Sequence, residues 1–77
     1  MDVSHQVGVI RKSGLFDCEW YLRRYPDVAS LAIDPIEHYV RWGALLSRDP
    51  SPGFDTSYYL DSNPDVAASG WNPLAHF

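Results

Sequence analysis

The sequence predicts an all-α fold: two tandem short-helix repeats of period 38 with a leading N-terminal helix, the second repeat truncated. Three observations carry this. The chain matches itself at an offset of 38 residues, each copy is punctuated by residues that start and stop helices, and no segment sustains the period-2 alternation of a half-buried strand.

The elements follow in order. Residues 3–12 form the leading helix, with Val3, Val7 and Ile10 turned inward and a stop near Gly14. Residues 16–53 are the first repeat unit, residues 54–77 the second, incomplete one, and residues 1–15 the leading helix and linker. Over positions 16–39 and 54–77, ten of twenty-four aligned pairs are identical. Unrelated segments match at roughly one position in fifteen to twenty. The recurring residues are Phe16/Phe54, Asp17/Asp55, Tyr21/Tyr59, Leu22/Leu60, Pro26/Pro64, Asp27/Asp65, Val28/Val66, Ala29/Ala67, Pro35/Pro73 and His38/His76. A period of this length belongs to helical arrays, in which each unit buries its apolar face against the next.

Inside a unit, Asp17 or Asp55 is an N-cap whose carboxylate accepts from free amides of the first turn. The preceding Phe16 or Phe54 packs forward on Tyr21 or Tyr59 as a hydrophobic staple. Pro26 and Pro64 end that helix by excluding α geometry from the residue before them, and each opens a short second one carrying Asp27 or Asp65 in its first turn. Gly70 stops the second copy of this turn in the left-handed region, with Ala32 in the matching place. Asp34-Pro35 and Asn72-Pro73 then start a third helix, with Glu37 completing a capping box in the first unit. It runs from Pro35 to about Trp42, with Ile36, Tyr39 and Val40 on one face and Gly43 as terminator. Residues 47–53, SRDPSPG, read as loop. The second unit stops at Phe77 without a counterpart of VRWGALLSRDPSPG, as expected for a fragment of a longer protein.

Residues 13–77 resemble the tandem FD-x-x-W/Y-Y-L … PDVA … P-L-x-H-Y repeats of bacterial multidomain proteins, chiefly large glycosyltransferases and rhamnan-synthesis-type proteins of surface polysaccharide assembly. The resemblance implies a non-catalytic segment beside or between catalytic domains, and it supplies no catalytic residue. It also implies a cytoplasmic bacterial location, or one peripheral to the inner membrane through the parent protein. After the histidine such repeats read H-Y-x-x-x-G-x-x-E-G-R-x-P-S. This chain keeps His38, Tyr39, Gly43, Arg48, Pro50 and Ser51, but has Leu46-Ser47 in place of Glu-Gly.

Composition narrows the function classes. At 77 residues, 45% hydrophobic and 14% aromatic, the chain can close one small core. A net charge of −4 with six scattered basic residues offers no phosphate-tracking face, so no nucleic-acid partner is expected. Cys18 stands alone, which excludes an internal disulfide. No apolar run approaches the ~18 residues of a membrane span.

Three chemistries compete for the remaining residues. Asp27/His38 and Asp65/His76 resemble acid/base pairs, but no Ser or Cys nucleophile recurs with them, so a small Asp/His hydrolase ranks last. The histidines read instead as packing residues, bonded to a backbone carbonyl or an Asp of the same unit. No CxxC, HxxxH or calcium-loop spacing exists, so no metal or other cofactor is expected. Aromatic stacking on a sugar is the carbohydrate-binding alternative. Trp42 and Trp71, which the repeat does not demand, are the expected contacts with a partner or a sugar. The leading expectation is a spacer or docking module that contacts a protein partner or an adjacent domain of the same chain.

Overall fold

The computed structural model describes residues 2–77, so Met1, the first residue of the leading segment, lies outside it. The described chain is all-α. Its helices are α1 (Val3–Ser13), α2 (Cys18–Arg24), α3 (Pro26–Leu31), α4 (Pro35–His38), α5 (Thr56–Ser62), α6 (Pro64–Ser69) and α7 (Pro73–His76). Residues 51 and 54 form an isolated bridge, and no strand is present among the described residues.

Cap chemistry sets the boundaries. Asp17 and Asp55 accept from the amides of Trp20 and Tyr58, Asp34 accepts from Ile36, and Asn72 accepts from Leu74 and Ala75. Tyr25 and Asn63 end one helix and begin the next, held at φ −127° and −132° ahead of their prolines. Gly70 closes α6 at φ 81°, and Ala32 closes α3 at φ 55° although it carries a side chain. The expected capping box does not form: the Glu37 carboxylate is drawn forward to Arg41, 2.9 Å away at i+4, by a full opposite charge.

The third helix also departs from expectation. It is α-helical only to His38, and Tyr39–Gly43 then form a π-turn in which the Ala44 amide reaches the Tyr39 carbonyl at 3.1 Å. Position 43, the last of this turn, holds glycine for a steric reason. A Cβ there would lie 2.3 Å from the Tyr21 hydroxyl and 3.1 Å from the Tyr39 ring.

The core gathers Ile10 of α1, Tyr21, Val28, Ile36 and Tyr39 of the first unit, and Leu74 of the second. Phe16 packs on both Tyr21 and Tyr39, with centroids at 5.0 and 5.7 Å, and Phe54 stands likewise 5.4 Å from Tyr59 and 5.5 Å from Phe77. Leu22 and Leu60 are half-buried in their units.

The two copies of the repeat valine part company here. Val28 belongs to this core, whereas Val66 does not join it, although it is just as thoroughly buried. The equivalence that the repeat led us to expect therefore holds for burial and fails for the neighbourhood. Helix α3 packs on α2 and α4, and α6 on α5 and α7, while α4 and α7 each pack on α1, so the helix pairing is the same in the two units.

Residues 44–53 join the units through hydrogen bonds. The Thr56 hydroxyl donates to the Arg48 carbonyl at 2.7 Å, which leaves it to accept from the Tyr39 hydroxyl at 2.8 Å. The Asp49 carboxylate accepts from the Thr56 amide while its own amide donates to the Tyr25 hydroxyl.

Helix α1 binds both units at the same position of each. Arg11 pairs with Asp34, the cap of α4, and Gln6 Oε1 accepts from the backbone amide of Asn72, the cap of α7, at 2.8 Å. The inward face of α1 is therefore Gln6 and Ile10, with Val3 and Val7 half-buried beside them.

Candidate functional site

Helices α2 and α4 cross so that residues seventeen apart meet: the Tyr21 hydroxyl lies 2.9 Å from His38 Nδ1. The same pair recurs between α5 and α7, with Tyr59 2.7 Å from His76 Nδ1. Tyr21 is fully buried and His38 nearly so. Burial pushes the Tyr21 hydroxyl well above the ordinary tyrosine range. Burial first, and the Arg48 cation second, push the His38 imidazole below its usual value. A protonated phenol beside a neutral imidazole makes Tyr21 the donor and His38 Nδ1 the acceptor.

The partner of each histidine is thus a tyrosine hydroxyl, in place of the backbone carbonyl or Asp the sequence suggested. His76, unlike His38, is exposed rather than turned inward. Asp27 serves another contact. Arg48 pairs with its carboxylate at 3.0 Å and lies 4.6 Å over the Tyr25 ring. Asp27 and His38 are accordingly not hydrogen-bonded to each other, and Asp65 is exposed at the start of α6, one residue before the buried Val66. Burial, followed by the Asp34 carboxylate, raises the Cys18 thiol above its usual value, opposite to what an activated nucleophile needs.

The two singled-out tryptophans stand in different surroundings. Trp42, 48% exposed, packs 5.5 Å from the His38 ring and forms one wall of an open groove of about 450 Å³. The remaining lining is Leu31, Leu45 and Leu46, which are 55%, 84% and 60% exposed, with His38 at the base. Four large apolar side chains left this open form a contiguous patch of the kind that marks interaction surfaces. Trp71 borders a second, smaller cleft of about 150 Å³ where α1, the turn after Gly43 and the second unit meet. Leu45 lines both depressions.

Sequence reasoning does not single out Leu31, Leu45 or Leu46, although Leu46, standing where the resembled repeats carry Glu, is the signal that could have found the groove. Ser47, in the neighbouring Gly position, sits at φ 60°, the left-handed region in which glycine is the unstrained residue.

Among the described residues no group of three His, Cys, Asp or Glu side chains is gathered to hold a metal. No described helix is long and apolar enough to cross a membrane. Comparison with protein-family models, curated proteins and solved structures returned no match.

Proposed function

We propose that this chain is a non-catalytic helical-repeat docking module, seating an apolar element of a neighbouring protein domain in the Leu31–Trp42–Leu45–Leu46 groove. The observation that supports it is the exposure of those four side chains together. Their lining offers almost nothing to hydrogen-bond a sugar hydroxyl, since His38 Nδ1 is already engaged by Tyr21. A protein helix presenting its own apolar stripe matches such a groove.

The resemblance to surface-polysaccharide repeats names the partner's class: a bacterial glycosyltransferase domain, either further along the same polypeptide or in the same assembly. The chain then works in the cytoplasm as a spacer whose own residues perform no turnover. Leu46, in place of an acidic residue, supplies the apolar contact where the usual pattern is charged.

A photo-crosslinking residue at position 46, introduced in the native bacterial host and mapped by mass spectrometry, tests this reading. Crosslinks to a glycosyltransferase domain are expected, and Leu45→Glu in the same protein should abolish them. No protein crosslink, or glycoside turnover by the isolated chain, would overturn the proposal.

A further inference from the structure

The first unit shows how one face of this repeat is covered, and the second unit carries the same face open. In the first, the Arg48 guanidinium meets the Asp27 carboxylate at 3.0 Å and lies 4.6 Å over the Tyr25 ring, its side chain only 21% exposed. The segment that carries Arg48 adds backbone contacts: the Pro50 carbonyl accepts from the Asp17 amide, and the Asp49 amide donates to the Tyr25 hydroxyl. Thr56, at the start of α5, bonds the Tyr39 hydroxyl, and Tyr39 is fully buried.

The second unit repeats the receiving half of this arrangement. Asp65 holds the place of Asp27 in the first turn of α6, and among the described residues no ion pair engages it. The Tyr59–His76 bond restates Tyr21–His38. Phe77 holds the place of Tyr39 but is 69% exposed, and with Phe54 and Leu15 it borders a depression of about 240 Å³. Lacking a hydroxyl, Phe77 needs only apolar cover, whereas Tyr39 also uses the Thr56 hydroxyl. Charge agrees with the comparison. Residues 54–77 hold Asp55, Asp61 and Asp65 but neither Lys nor Arg, and all six basic residues lie before position 54.

We propose that this face of the second unit docks an arginine-bearing loop of the kind formed by residues 47–53, presented by a further unit of the same repeat. The arginine pairs with Asp65, and the chain around it covers Phe77 as Gly43 and Thr56 meet Tyr39. Asn63 stands in place of Tyr25, so no ring lies beneath the guanidinium here. An ion pair this open contributes little, so burial of Phe77 supplies the strength of the contact and Asp65 its selectivity for arginine. The face shares no side chain with the Leu31–Trp42–Leu45–Leu46 groove, and either assignment can fail without the other.

The test appends a second copy of residues 40–56 after Phe77 of the intact chain. This gives the loop the covalent position it has in the first unit, and with it a high local concentration. Tm, followed by circular dichroism, should rise by several degrees, and the Phe77 ring should show nuclear Overhauser contacts to the appended loop. Asp65→Asn should cost about 2–6 °C more in the extended chain than in the unextended one, where it alters only the first turn of α6. Arg48→Gln made in the appended copy should abolish that difference. No rise in Tm, an equal rise from an appended segment of scrambled order, or an Asp65→Asn cost that ignores the appended arginine would each overturn the assignment. So would dimerisation of the unextended chain that Asp65→Asn abolishes, since the occupant would then be a second copy.

Discussion

Gly43→Ala offers the sharpest test of the packing derived above. The added methyl would stand 2.3 Å from the Tyr21 hydroxyl, 3.5 Å from Tyr21 Cζ and 3.1 Å from Tyr39 Cδ1. Both rings are fully buried, and the hydroxyl is tied to His38, so neither ring can swing aside. Overpacking of this kind costs about 1–3 kcal/mol. Displacing the hydroxyl from Nδ1 leaves two buried polar groups unpaired, adding about 1–3 kcal/mol. The better helix propensity of alanine over glycine offsets less than about 1 kcal/mol of this. The net expectation is a loss of about 2–4 kcal/mol, a large share of what a domain of this length holds. At roughly 4–8 °C per kcal/mol, Tm should fall by about 10–30 °C. Urea and thermal unfolding followed by circular dichroism measure this directly. The second arm is Tyr21→Phe, which removes the clashing oxygen and leaves the 3.5 Å carbon as the nearest Tyr21 atom. In that background Gly43→Ala should cost less than half as much, a coupling read from the double-mutant cycle. An equal cost in both backgrounds, or a gain in stability from Gly43→Ala alone, would refute the steric account of Gly43.

Three further outcomes follow from local geometry and charge. Ala32→Gly should stabilise by a few tenths to about 1 kcal/mol, because a left-handed alanine carries a strain of about 1–2 kcal/mol that glycine does not. Gly70→Ala should lose about 1 kcal/mol for the same reason in reverse, and denaturant midpoints compare the two. His38, whose imidazole is held below its ordinary 6.5, takes up a proton more readily in the unfolded chain than in the folded one. Its contribution is therefore complete above pH 6.5 and is lost as the pH falls below that value; His38→Gln should flatten this part of the stability–pH profile, as urea midpoints between pH 7 and 5 will show.

What could be read from the sequence was what short-range chemistry decides. Asp17, Asp34, Asp55 and Asn72 cap helices in the structure, and the prolines at 26, 35, 64 and 73 open them, because a cap needs only its own next few residues. Glu37 shows the boundary of that logic: its spacing satisfied a capping box, but a competing cation one turn ahead won. The Tyr–His pairs were out of reach for a different reason. The recurrence of Tyr21 and His38 marked both as important, yet only the crossing of two helices could say that they touch. Val28 and Val66 make the same point in reverse. Identical letters at identical register are both buried, yet only Val28 belongs to the core cluster that contains Ile10 of α1. Gly43 read as a helix stop, whereas what the structure requires of it is room for a hydroxyl 22 positions earlier in the chain. The groove beside Trp42 was half legible. Its indole stood out as unrequired by the repeat, but the leucines that complete it come from α3 and the post-helical turn, which no periodicity joins.

The clasp made by α1 has a consequence for how the chain reaches this structure. Nearly all helices here close local contacts, which form within microseconds and cost little loop entropy. The Gln6–Asn72 bond instead joins positions 66 residues apart. Closing a loop of that length grows costly only logarithmically, but the entropy is lost before the contact stabilises anything. On this reasoning the contact of the first helix with α7 is expected to form after its nearer contact with α4. Once docked, it denies the units the independence of links in an open array. Opening either end releases the same helix, so a single cooperative melting transition is the expected outcome.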